Sequence, residues 1–173
     1  MNRKSRLNKT VESIWRDWQP YVFGAFARMF PDRSTADDLT QDVFVALSEA
    51  LQRGATITNV RPYLSRLIGR TTRAYLKRRG RIPGVSEEIL DAPAPSPNPF
   101  HENLERVNGV LHRLPPVERL VIVGCHYLQL SREEIAELVG LPVRTVSRRY
   151  ARAISRLRGW LDGEGSDRQG NSV

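Results

Sequence analysis

The sequence predicts an all-α protein of two small helical domains joined by a proline-rich flexible linker, the second domain being a helix-turn-helix. Three observations carry that reading. Apolar residues recur at intervals of three and four through most of the chain, the spacing of helices that bury one face. The stretch from Ala92 to Pro99, APAPSPNP, cannot sustain a helix and has almost nothing to bury. Ser131 to Leu161 reads as two helices around a tight turn, with its own start and stop signals. The expected divisions are a first domain over 1–81, a linker over 82–102, a second domain over 103–162 and a disordered tail over 163–173.

In chain order, Thr10 to Phe30 holds Trp15, Trp18, Tyr21, Phe23, Phe26, Met29 and Phe30, whose helical spacing marks a core cluster rather than a base-stacking platform. Pro20 predicts one bent helix or two short ones, because it removes an i to i−4 bond. Asp32 to Leu51 is the next helix, capped by Asp32 or Ser34, with Leu39, Val43, Ala46, Leu47 and Ala50 inward. The same wheel sets Phe44 outward with Asp37, Gln41 and Ser48, and Asp38 and Asp42 beside them. Phe44 is therefore expected to be an exposed anchor ringed by carboxylates, able to hold a basic protein partner. A carboxylate metal site for nuclease chemistry is the rival use of Asp37, Asp38 and Asp42, but these side chains diverge and nothing elsewhere completes a constellation.

Residues 53–60 lack helical periodicity and read as a loop, and a helix resumes after Pro62. Leu64, Ile68, Thr71 and Tyr75 line its inner side. Arg66, Arg70, Arg73 and Lys77 form an outward stripe at steps of four, three and four, suited to following a phosphate backbone. Beyond the linker, Asn103 to Leu114 and Val117 to Leu128 are helices divided by Pro115 and Pro116.

In the last stretch, Ser131 and Glu134 stand at capping-box spacing, Ile135, Leu138 and Val139 share one face, and Gly140 ends the helix. Pro142 suits the start of the next one. There Val143, Val146, Tyr150, Ala153 and Leu157 face inward, Arg144, Ser147, Arg148 and Arg152 face away, and Arg149 and Arg156 flank. No acid interrupts from Leu141 to Leu161. Such a helix offers guanidinium forks and a hydroxyl to the major groove of DNA, whereas a merely solvated arginine face would not require the cap, the glycine turn and the acid-free charge together.

The net charge of +8 favours a polyanionic partner, and its placement is informative: Ala50 to Ser86 also contains no acid. The single cysteine, Cys125, excludes an internal disulfide and suits a reducing cytosol. It is expected as a small buried hydrophobe, since His126 next to it and His112 upstream lack paired-ligand spacing. No apolar run approaches the roughly 20 residues that span a bilayer. The basic start lacks the apolar core of a signal peptide, so a cytoplasmic protein without membrane insertion is expected.

Four fragments then stand in a telling order. Asp38-Leu39-Thr40-Gln41-Asp42-Val43-Phe44 is similar to a DLxQxxF helix, and Tyr63-Leu64 through Lys77-Arg78-Arg79 to a WLxxIARN…DxxRR helix. Leu114-Pro115-Pro116-Val117-Glu118-Arg119 is similar to LPxxxR, and Glu134-Ile135-Ala136 with Gly140 and Thr145-Val146 to EIAxxxGxxxxTV. Together, from about Ile14 to Leu161, they resemble the extracytoplasmic-function sigma factors of bacterial RNA polymerase, in the sigma-70 family.

The resemblance implies a non-enzymatic factor, with no cofactor or metal, that binds the polymerase core and directs promoter-specific initiation. Core polymerase would meet Asp38, Gln41, Asp42 and Phe44. The melted −10 element would lie on Asn59, Arg66, Arg70, Arg73 and Lys77, and the −35 element on Arg144, Thr145, Ser147, Arg148, Arg149 and Arg152. Thr71, Ala74, Pro142 and Arg144 depart from the usual family residues and bear on which promoter is read. An anti-sigma factor is a further implied partner. Because five prolines lie between Pro83 and Pro99 and both domains carry basic faces, a clasped state is expected to need an acidic or apolar partner between them. The alternative is a stand-alone helix-turn-helix regulator acting as a dimer, which would leave the Arg66 to Lys77 stripe unused.

Overall fold

A computed structural model describes residues 3–79 and 102–167, with side chains over 11–79 and 107–160. Every element in it is helical: α1 (Arg3–Met29), α2 (Arg33–Gln52), α3 (Val60–Arg78), α4 (Glu102–His112), α5 (Pro116–Ile122), a π-helical turn (Val123–Tyr127), α6 (Arg132–Val139) and α7 (Val143–Asp167). The expected linker lies outside the described residues except for Glu102, which opens α4. Helix α7 continues through the first residues of the expected tail, and the rest of that tail lies outside the described residues.

The first unit is a three-helix packing in which α2 lies between α1 and α3. Helix α1 runs unbroken through Pro20. Both Pro20 and Arg16, whose carbonyl loses its bond, face solvent, so water can take the missing donor's place. Val22, Ala25, Phe26 and Met29 are buried on the other face. Asp32, not Ser34, caps α2, its carboxylate accepting from the Thr35 N–H at 2.9 Å. That bonding, with the Thr35 hydroxyl first and the backbone second, holds the Asp32 carboxyl below its usual range. Gly54, at φ 94°, releases the chain after α2. Helix α3 begins at Val60, two residues before Pro62, because the first turn of a helix has no intrahelical use for the proline's missing N–H.

One expectation about α2 fails. Phe44 is buried, at 4 % exposure, with its ring centre 4.4 Å from that of Trp15. Because α2 has a neighbour on each side, its buried arc, which also takes in Thr40 and Leu51, covers roughly half the circumference instead of a narrow stripe. Phe44 lies at the edge of that wider arc, and Trp15 of α1 covers it.

In the second unit, Ser131 and Glu134 form the expected reciprocal capping box, and Gly140 closes α6 in the left-handed conformation at φ 67°. The segment expected as one helix over Val117–Leu128 instead changes to π geometry at Val123, with the Leu128 N–H bonded to the Val123 carbonyl five residues back. Gly124 gives the turn its room: a Cβ there would come within 3.0 Å of Ile135. The widened turn rotates Tyr127 away from the register an α-helix would give it and toward α1. Cys125 is half-buried against the core, which with burial raises its thiol pKa.

The two units pack directly, which corrects the expectation that a compact state needs a partner between them. Helix α1 meets α4, α5 and the π turn, and α3 meets α6, so the buried residues form one continuous core. The basic residues at this junction find acceptors. Buried Arg119 donates from Nε to the Met29 carbonyl at 2.8 Å, and His112 Nε2 lies 2.9 Å from the Ala27 carbonyl. Both carbonyls belong to the last turn of α1, where helix carbonyls lack partners and the dipole favours cations. Burial lowers the Arg119 pKa to about 10, still protonated at neutral pH.

Candidate nucleic-acid interface

Helix α7 presents its basic face by fixing the opposite one. Val146 and Ala153 are fully buried, which turns Arg144, Ser147, Arg148 and Arg152 to solvent and leaves Thr145 half-buried. Among the described residues, Arg144, Arg148 and Arg152 take part in no ion pair, so their guanidinium forks are open to phosphate oxygens or guanine edges.

Arg149 is different. It turns inward, 3.9 Å from the carboxylate of Glu118 on α5, and Arg156 reaches the same carboxylate at 3.4 Å. Glu118 is 1 % exposed, so two guanidiniums neutralise a charge withdrawn from water. Arg149, expected on the DNA face, serves in this structure as a strut between α5 and α7. Glu118 was the available signal, an acid inside an otherwise apolar and basic helix, which burial obliges to find a cation.

On α3, Arg66, Arg70, Arg73 and Lys77 are exposed as expected. Asn59 sits at the N-cap of α3 in extended conformation, and its side chain makes no capping bond, leaving the amide open to a ligand. The stripe borders α6. Arg66 Nε lies 3.3 Å from Glu134 Oε1, and a groove of about 230 Å³ between the helices is lined by Arg70, Arg73, Glu137 and Leu138 among others. Glu134 is held below the usual carboxylate range, chiefly by the Ser131 N–H and further by Arg66.

On α2, Asp38, Gln41 and Asp42 are exposed around a shallow groove that Arg78 and Arg79 close, with Asp42 3.6 Å from Arg78. Val45, 57 % exposed, rather than Phe44, is the apolar residue offered there.

An outward arginine face, a second basic stripe and a groove edged by acids thus stand together on one small helical chain. Residues 14–82 match the model of sigma-70 region 2, and residues 104–157 match that of sigma-70 region 4. The RNA polymerase sigma-E factor of Streptomyces coelicolor is 30 % identical over 85 % of this chain and 83 % of its own. The chain belongs to the sigma-70 family, in its extracytoplasmic-function group. The ECF sigma factor SigE of Mycolicibacterium smegmatis is also 30 % identical, over 87 % of this chain and 61 % of its own. The fold is shared with the sigma factor RpoE of Bartonella quintana, solved with the anti-sigma factor NepR: TM-score 0.62, 19 % identity, 89 % of this chain and 98 % of that one.

As a sigma factor, the chain binds RNA polymerase core and directs promoter-specific initiation. In family terms α1–α3 carry region 2, and α4–α7 carry region 4 with its helix-turn-helix α6–α7. Sequence reasoning missed the residues that join the regions, His112, Arg119 and Tyr127, since nothing local distinguishes a cross-domain donor from an intradomain one.

Proposed function

We propose that this sigma factor divides its work among three surfaces, and that recognition, not bond chemistry, is all it contributes. Asp38, Gln41, Asp42 and the exposed Val45 form the docking surface for core polymerase. Their charge suits a basic partner, whereas buried Phe44 packs under Trp15 toward α1. Asn59 with Arg66, Arg70, Arg73 and Lys77 holds the single-stranded −10 element through phosphate contacts. Arg144, Thr145, Ser147, Arg148 and Arg152 read the −35 element in the major groove. The observation that carries this reading is the outward, ion-pair-free arginine set of α7 standing on a fully buried opposite face.

The place of action is the cytoplasm, where the polymerase works; no helix among the described residues is long and apolar enough to cross a membrane. An anti-sigma factor is a fitting regulator, as the RpoE structure with NepR illustrates for that relative. Footprinting of promoters by core polymerase with wild-type chain and with Arg148→Ala tests the division. The variant should lose preference at an upstream position alone, and loss of −10 protection instead would count against the assignment.

A further inference from the structure

We propose that His126 is a further promoter-binding residue of this chain: once protonated it joins Arg132 on the phosphate backbone of the −35 element, so that affinity for duplex DNA rises as pH falls. The inference rests on the −35 role given to α7 above.

Three side chains from three elements meet at the site. His126 of the π turn and Tyr150 of α7 stack with ring centres 5.7 Å apart and planes inclined by 23°, and His126 Nε2 lies 3.1 Å from the Tyr150 hydroxyl. Arg132, the first residue of α6, sets its Cζ 4.1 Å from the centre of the same tyrosine ring. Tyr150 thus holds two basic groups at one seam, one through its hydroxyl and one through the face of its ring. The π turn sends Tyr127 inward to Tyr21 and leaves the adjoining His126 exposed.

The seam borders the reading face. Tyr150 stands three residues beyond Ser147, so the two share a flank of α7, and Ser147 is among the outward residues. In a helix-turn-helix the first helix crosses the DNA backbone while the second enters the groove, which places Arg132 and His126 where phosphates pass. The surrounding elements leave that position to the phosphate. On the inner side, Tyr21 and Arg28 of α1 attend Tyr127, and Glu118 of α5 is committed to Arg149 and Arg156. Half-buried Cys125 lies close enough to Arg132 for that charge to act on its thiol. Glu134 is engaged by Arg66, and Glu133, next to Arg132 in α6, pairs with neither basic group among the described residues.

The hydrogen bonding makes the contact depend on a proton. A neutral imidazole donates from one nitrogen, whereas the charged ring donates from both. A tyrosine hydroxyl donates or accepts, so the Nε2 contact survives in either state and protonation leaves a charged ring with an N–H at Nδ1 for phosphate. Imidazoles are the side chains whose ordinary charge change falls between about pH 5 and about pH 8. By reciprocity, bound phosphate favours the charged ring, and DNA binding takes up protons.

The test titrates the full chain with mixed-sequence duplex DNA of about 30 base pairs over a range of salt, because phosphate contacts do not depend on sequence. From about pH 7.5 to about pH 5.5 wild-type affinity should rise about threefold or more, and the slope of log affinity against log salt should steepen by about one. His126→Gln should abolish both changes and leave the unfolding midpoint at neutral pH unmoved, whereas His112→Gln should keep both. Arg132→Gln should make the slope shallower by about one at either pH. A rise that persists in His126→Gln, a wild type without any rise, or a slope indifferent to Arg132 overturns the proposal while the −35 reading stands. Failure of that reading looks different, as the wild type would bind the duplex at neither pH, and both would fall together.

Discussion

Tyr21 and Tyr127, 106 positions apart in the chain, stack at 5.1 Å, and the hydroxyl of the second donates to the backbone carbonyl of the first. The two sigma regions are thereby joined at a built contact rather than a loose collision. The same junction contains His112 and Arg119 on the end of α1 and Glu134 on Arg66.

The junction should weaken in acid. Burial lowers the His112 pKa, the Arg119 charge adds to that, and the bond to Ala27 only partly opposes it. A depressed folded-state pKa means that the unfolded chain binds the proton first. The contribution is therefore whole above about pH 6.5 and lost as pH falls through the folded value. Glu134, also lowered, adds a second loss below about pH 4.3. Thermal unfolding followed from about pH 7.5 to about pH 5.5 should show a falling midpoint that His112→Gln largely flattens. An equally steep fall in the variant would place the titrating group elsewhere.

Phe44 and its acidic neighbours should separate cleanly. Phe44→Ala removes a buried ring under Trp15 and should cost about 3–5 kcal/mol of stability, read by denaturant unfolding. Asp38→Lys with Asp42→Lys changes only exposed positions and should leave the unfolding midpoint nearly unmoved while weakening binding to core polymerase. Core affinity unaltered by the double charge reversal would remove α2 as the docking surface.

Arg149→Ala should behave as a core variant. It leaves Glu118 buried with Arg156 alone, which should cost about 2–3 kcal/mol, below the usual loss for a broken buried pair because one guanidinium remains. DNA sequence preference should stay as in the wild type once the protein is folded. A changed base preference at full stability would restore Arg149 to the DNA face.

Arg70→Ala should weaken DNA binding evenly across sequences and reduce the slope of affinity against salt by about one ion released. A sequence-selective loss with an unchanged slope would mean that Arg70 reads a base.

The sequence disclosed the elements governed by local rules. The capping box at Ser131 and Glu134, the left-handed Gly140 and the outward arginines of α7 depend on neighbours a few positions away, and each stands where spacing put it. Phe44 was misplaced because the width of a buried arc depends on how many helices surround α2, which the α2 sequence does not state. The pairing of Arg149 was not legible because its partner lies 31 positions upstream on another helix. The π turn had no signal beyond Gly124, and the joining of the units ran against net charge, which counts basic residues but not the carbonyls and rings that accept them.

Promoter-specific initiation with core polymerase can be measured as transcription from a randomised promoter library by reconstituted enzyme. Transcripts are expected only when chain and core are combined, from templates sharing one −35 and one −10 sequence, with Arg148→Ala relaxing a −35 position by about 1–3 kcal/mol of discrimination. Specific duplex binding by a dimer of the chain alone, with core polymerase adding no transcripts, would contradict it.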